Sequence, residues 1–188
     1  MEFELDMIER KQKSKSATSA LRRSGQVPVI VYVKGQDGQM ASVSRTSFEE
    51  VLRKLEMGFL ATSIFVLKGA NGKKVRAIIK EIQYEPVSYV VRHIDFLELA
   101  PETKIQIKVP LQCIGEQDCV GIKAGGYLRR VHDFIPVRCL PKDIPSHFEV
   151  NVSDVDIRQT KSVKDIISMP KGLDLLLGEN QVIATVMK

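Results

Sequence analysis

The chain has 188 residues, 44% hydrophobic and 27% charged, with a formal net charge of +5. That composition suits one large or two small domains with packed cores. No apolar run reaches the roughly 18 residues a membrane span needs, and MEFELDMIE lacks the order of a secretory leader, so a soluble cytoplasmic protein without a membrane partner is expected.

The location of the charge says more than its size. Residues 1–97 hold 16 Lys and Arg against 11 Asp and Glu, whereas residues 98–188 hold 12 of each. Within the first part, residues 10–36 carry seven bases and no acid. A near-neutral remainder therefore hides a strong local field, the pattern of a polyanion site. By itself a charge run is as often a solvated face, so the block leaves both readings open.

In chain order, FELDMIE places Phe3, Leu5 and Met7 on one face at period two, which predicts a strand. ATSALRRSG fits a short helix stopped by Gly25, and VPVIVYVKG, bounded by Pro28 and Gly35, is β-branched and extended. There Val29, Val31 and Val33 share one face, while Ile30, Tyr32 and Lys34 share the other. A second helix is predicted from a Thr46/Glu49 capping box to Gly58, with Phe48, Val51, Leu52 and Leu55 on its apolar side. Two strands then meet around Asn71-Gly72, a dipeptide that accepts the positive φ of tight hairpin turns. Glu85-Pro86 interrupts, and YVVRHIDFLEL forms a further strand. Five or six strands in so few residues favour a small closed or nearly closed barrel, which removes exposed edges.

Near Leu97–Thr103 the character changes at Pro101. KIQIKVPLQC alternates cleanly, with Ile105, Ile107 and Val109 on one side. GIKAGGYL, FIPVRCLPKDIP, FEVNVSDV, a short helix around SVKDII and the strand QVIATVMK follow. Gly125 and Gly126 read as a tight turn, and Asp154 and Asp156 as caps of a helical segment. The fold is therefore expected to be mainly β, with a first domain over 1–97 and a second β-rich domain with long loops over 98–188.

The candidate site lies in the first domain. Lys and Arg that neutralise phosphates supply affinity without sequence information. Tyr32 can stack on or hydrogen-bond to a nucleotide, and His93 and Asp95, two apart in RHIDF, point to one face of a strand. A carboxylate beside cations is tolerated where it accepts from a base or steadies a histidine. An ordinary His–Asp bond holding the barrel explains the pair equally well, as a buried hydroxyl explains Tyr32. Catalysis has little to stand on: there is no GxSxG, and GIKAGGYL has neither GxGxxG nor a GK[ST] ending. Cys113, Cys119 and Cys139 have no metal-like spacing and read as core hydrophobes, and His93, His132 and His147 are far apart. No metal, cofactor or small-molecule substrate is expected.

With these residues in hand, the whole chain resembles the bacterial large-subunit ribosomal proteins that bind 5S rRNA, in their long two-domain form (the general stress protein CTC type). The resemblance rests on the ERK…K…LR…G block, VPVIVY, IKEIQYEPV and RHIDF, and then on KIQIKVPLQCIGE, GIKAGGYL and VRCLPKDIP. It implies a six-stranded β-barrel with short helices that docks on an irregular internal loop of 5S rRNA. It also implies a second domain whose partners include neighbouring ribosomal proteins. The family's RNA contacts fall on Arg10, Lys15, Arg22, Tyr32, Gln83, His93 and Asp95. The chain departs from the family's pattern with Ser14 and Val33, where glycine is usual. The alternative reading is a non-ribosomal RNA-binding stress factor or a protein-interaction module.

Overall fold

The computed structural model describes residues 2–10, 14–56, 58–69, 72–170 and 172–188. Alternation in the first segment produces β1 (Glu2–Glu9), which buries Leu5 and Met7. Helix α1 (Lys15–Arg23) follows. Ser14, which departs from the family's glycine, is its N-cap: extended at φ −69°, ψ 149°, it accepts from the Ala17 N–H at 3.2 Å. Arg22 and Arg23 occupy the last turn, where a cation complements the helix dipole. Gly25, at φ +78°, turns the chain into β2 (Gln26–Tyr32).

A strand with no strong sequence signal, β3 (Gln39–Ser44), pairs antiparallel with β2. Helix α2 (Arg45–Lys54) begins earlier than the Thr46/Glu49 box predicts. Its N-cap is Ser44, whose hydroxyl accepts from the Ser47 N–H at 3.5 Å. Nor does Gly58 end the helix. Leu55 already turns extended, and Gly58 (φ +95°) opens a separate 3-10 turn over Phe59–Thr62. The apolar side behaves as expected: Phe48 and Val51 are buried, and Leu52 and Leu55 pack against the core.

Strands β4 (Ile64–Gly69) and β5 (Lys74–Tyr84) form the predicted hairpin, with Gly72 at φ +73°; Asn71 lies outside the described residues. Strand β6 (Val91–Glu98) completes a closed six-stranded barrel of order β1-β3-β2-β6-β5-β4. Closure comes from parallel pairing of β1 with β4, from Glu2↔Ile64 to Met7↔Gly69. Phe65 lies at the core's centre, its ring 5.7 Å from Phe96 and 6.4 Å from Phe48 by centroid.

The chain divides into two compact units, Met1–Thr103 and Lys104–Lys188. In the second, β7 (Ile105–Ile114) is central to a four-stranded sheet that also holds β9 (Phe134–Cys139), β10 (Phe148–Asn151) and β12 (Asp174–Leu175). Between β7 and β9 lie α3 (Val120–Lys123) and β8 (Tyr127–Arg130). With β11 (Thr160–Ser162) and β13 (Val182–Met187), β8 forms a three-stranded sheet. Ile105, Ile107, Val109, Ile135, Val137, Phe148 and Val150 are buried. Gly125 takes the expected positive φ, +89°, but Gly126 does not. A Cβ on Gly126 would meet the Gly121 and Met187 carbonyl oxygens at 2.8 and 2.9 Å, so packing is what demands glycine there. SVKDII gives only a 3-10 turn over Val163–Asp165, closed by a Ser162/Asp165 capping box. Asp154 and Asp156 cap no helix: Asp154 pairs with Lys161 at 3.0 Å, and Asp156 accepts from the Ile157 N–H at 2.7 Å. Cys119 and Cys139 are buried and Cys113 is half-buried. Burial, aided by Asp143, pushes the Cys139 thiol up to about 11.

Candidate nucleic-acid interface

Three adjacent strands build the outer face on which the directed side chains sit. Strand β2 runs parallel to β6 with Val29 opposite Ile94 and Ile30 opposite Asp95. Strand β5 runs antiparallel to β6 with Glu81 opposite Asp95 and Gln83 opposite His93. Val29, Val31, Ile94 and Phe96 fill the interior. Alternation then sends Ile30, Tyr32, His93 and Asp95 outward, with Gln83 beside His93. Val33 follows β2 without a left-handed φ, so the backbone there does not need the family's glycine.

His93 Nδ1 lies 2.7 Å from Asp95 Oδ1, with the two side chains 15% and 29% exposed. A carboxylate can only accept, so the Nδ1 proton is held by Asp95. In the neutral imidazole Nε2 is then an acceptor; in the imidazolium it is a donor. The Tyr32 phenol is pushed up by burial and then by the negative charges of Asp95 and Glu81, which keeps it a hydrogen-bond donor through the physiological range. Gln83, exposed beside His93, contributes an amide with both donor and acceptor ends.

The cations enter from the arm that links β1 to α1 and from the helix itself. Arg10 is tied to β3: its N–H donates to the Met40 carbonyl and its Nε to the Ala41 carbonyl, each at 3.1 Å. Arg22 reaches from the last turn of α1 to the start of β6, where its Nε donates to the Arg92 carbonyl at 3.1 Å. Arg45 fastens the end of α1, with Nη2 donating to the Arg22 carbonyl and its own N–H to the Gly25 carbonyl, both at 2.9 Å. The Arg22 guanidinium is lowered from its ordinary value by burial and then by repulsion from Arg92 and Arg10; Glu85 opposes this. Arg22 thus senses two other arginines at the end of the barrel where His93 begins the polar row. Lys15, the first residue of α1, is exposed, and Lys11 and Lys13 lie outside the described residues.

Structure therefore places Tyr32, Gln83, His93 and Asp95 on one three-stranded face. It places Arg10 and Arg22 in mutual electrostatic range, with Arg22 anchored on the strand that carries His93. Sequence reasoning passed over Arg92, which pairs with Glu85 at 2.7 Å. Simple alternation from Ile94 points Arg92 inward, but a register shift between Gln83 and Tyr84 leaves it exposed. Arg45 was also missed, since a helix's first residue carries no mark of what it fastens. Among the described residues no group of three or more His, Cys, Asp or Glu is arranged to hold a metal. No described helix is long and apolar enough to cross a membrane.

Comparison with known proteins covers both units. Residues 5–96 match the ribosomal L25p family, and residues 104–188 match the C-terminal domain of ribosomal protein TL5. The large ribosomal subunit protein bL25 of Chlamydia abortus is 36% identical over 186 residues, covering 99% of this chain and 100% of that protein. Those of Chlamydia pneumoniae and Chlamydia muridarum are each 34% identical over the same 186 residues, with the same coverage.

Proposed function

The chain belongs to the ribosomal L25p family, and from that premise we propose that it is a structural, non-enzymatic constituent of the large ribosomal subunit whose barrel binds 5S rRNA at an irregular internal loop. One observation carries the reading: the outer face of β2, β6 and β5 holds Tyr32, Gln83, His93 and Asp95, and Arg22 bridges from the basic helix onto β6. A regular A-form duplex offers little to such a face, because its deep major groove is closed to side chains. An internal loop with non-Watson–Crick pairs opens base edges to the phenol, the amide and the His–Asp pair. Arg10, Lys15 and Arg22 meet the flanking phosphates and contribute affinity that is blind to sequence. The basic start of α1 suits the same anion, since a helix N-terminus already favours negative charge and no acid occupies this first turn.

The second unit, which lacks a base-rich, acid-free run like residues 10–36, supplies the surface that meets neighbouring ribosomal proteins. The working location is the cytoplasmic ribosome. Footprinting purified 5S rRNA tests the central claim. The full chain and residues 1–103 are expected to protect the same internal loop, and protection confined to regular stems, or none, contradicts the proposal. A stoichiometric constituent also stays with the 50S particle through a high-salt wash, where a transient stress factor leaves.

A further inference from the structure

The loop between β5 and β6 presents apolar side chains to water at an unusual price in backbone freedom. Tyr89 is 78% exposed, Val87 89% and Tyr84 45%. The loop is nonetheless held: the Glu85 N–H donates to the Val90 carbonyl at 2.8 Å and the Tyr89 N–H to the Glu85 carbonyl at 2.9 Å. Tyr89 adopts φ +54°, the left-handed region in which a side chain is strained and glycine or asparagine is the ordinary occupant. Packing does not account for a tyrosine there, because the ring is out in solvent.

The base of the loop is bound to charged groups. Glu85 is paired with Arg92 at 2.7 Å, the Arg92 carbonyl receives Arg22, and Arg22 feels the charges of both Arg92 and Arg10. Gln83 and Tyr84 lead directly into the loop, and Gln83 is opposite His93. The loop that carries this exposed aromatic is therefore tied through Glu85 to a cationic cluster, and its strands continue into the face already described. Positive charge around an aromatic platform complements a nucleotide, whose base has a π-face and whose phosphate is anionic.

We propose that Tyr89 is a stacking platform for an unpaired nucleotide next to the RNA surface that the barrel grips. This rests on the RNA-binding reading above and extends the site beyond its strand face. The ring contributes no base-edge hydrogen bonds, so it adds affinity for an unstacked base of any identity. Val87 borders the same tip and shields the stacked base from water.

Binding of 5S rRNA by the full chain and its Tyr89→Gly and Tyr89→Phe variants, measured across a salt series, tests the assignment. Tyr89→Gly removes both the ring and the strained Cβ. It is expected to match or exceed the wild-type unfolding midpoint while binding at least about fivefold more weakly, the lower end for one base–aromatic stack. Its salt slope stays unchanged, because no charge is lost. Tyr89→Phe keeps wild-type affinity. Wild-type binding by the glycine variant overturns the proposal, and so does a lower unfolding midpoint, which makes the ring a structural element. A glycine variant that binds RNA normally but leaves the 50S particle more readily assigns the tip to a protein contact and overturns it too. If the wild-type chain binds no 5S rRNA, the functional reading fails rather than the role of this residue alone.

Discussion

At the scale of single residues, the hydrogen bond from His93 Nδ1 to Asp95 sets which end of the imidazole faces outward. Asp95→Asn keeps the shape but offers an amide N–H to Nδ1. In the neutral ring that places the remaining proton on Nε2 and turns its acceptor into a donor. The expected result is a loss of about 1–3 kcal/mol in discrimination between 5S rRNA and an unrelated duplex, with little change in nonspecific affinity. Competition binding with both RNAs reads this directly, and an equal loss on both would assign the pair to holding the barrel. That these side chains share a face was legible in RHIDF and VPVIVY, because strand alternation is local. That Tyr32 is close enough to Asp95 for its phenol to be raised was not legible. It depends on a parallel pairing between strands roughly sixty residues apart in sequence.

At the scale of elements, capping chemistry decided where prediction and structure agree. The capping box over Thr46 and Glu49 fits the right helix, yet Ser44 sits earlier and takes the N-cap because β3 delivers it there in an extended conformation. In the second unit Ser162 and Asp165 do cap one another's turn, with the Asp165 carboxylate accepting from the Ser162 N–H at 2.8 Å and from its hydroxyl at 2.9 Å. These bonds, the backbone one first, hold Asp165 below its ordinary carboxylate value against the cost of burial. A depressed folded value stabilises above the unfolded pKa, and that contribution is lost as pH falls through the folded one. Asp165→Ala is therefore expected to cost about 0.5–2 kcal/mol near pH 7, the range for a lost cap. The gap to wild type should close below the usual carboxylate range. Urea unfolding of both proteins across that pH range checks the sign. The neighbouring glycines separate two causes. Gly125 has open space around it but a left-handed φ; Gly126 has an ordinary φ but backbone oxygens within 3 Å of any Cβ. Gly126→Ala should therefore destabilise by about 1–3 kcal/mol through overpacking. Gly125→Ala should cost roughly 1–2 kcal/mol through conformation alone. GIKAGGYL announced a turn, but only the packing of β8 on β13 shows why its second glycine cannot carry a methyl.

At the scale of the whole molecule, the positive charge is concentrated in one stretch of the chain rather than spread along it, since residues 10–36 carry seven bases and no acid. All the excess positive charge lies in residues 1–97, and it was readable because it needs only counting. Its arrangement was not readable. Arg22 reaches across to β6, and Arg10 is pinned to β3, only because a closed barrel brings the first, third and sixth strands to one end. This predicts how binding responds to salt. Each phosphate contact released on mutation lowers the slope of log affinity against log salt by about one. Arg10→Ala and Arg22→Ala should each flatten the slope by that amount and weaken binding on any RNA. Arg22→Lys should keep the slope, because the charge stays, yet lose affinity, because lysine lacks the Nε–H that anchors α1 to the Arg92 carbonyl. Residues 1–103 should retain the full-length slope, while residues 104–188 should show none. A slope carried by the second unit, or one that Arg10 and Arg22 leave unmoved, would place the polyanion surface elsewhere on the chain.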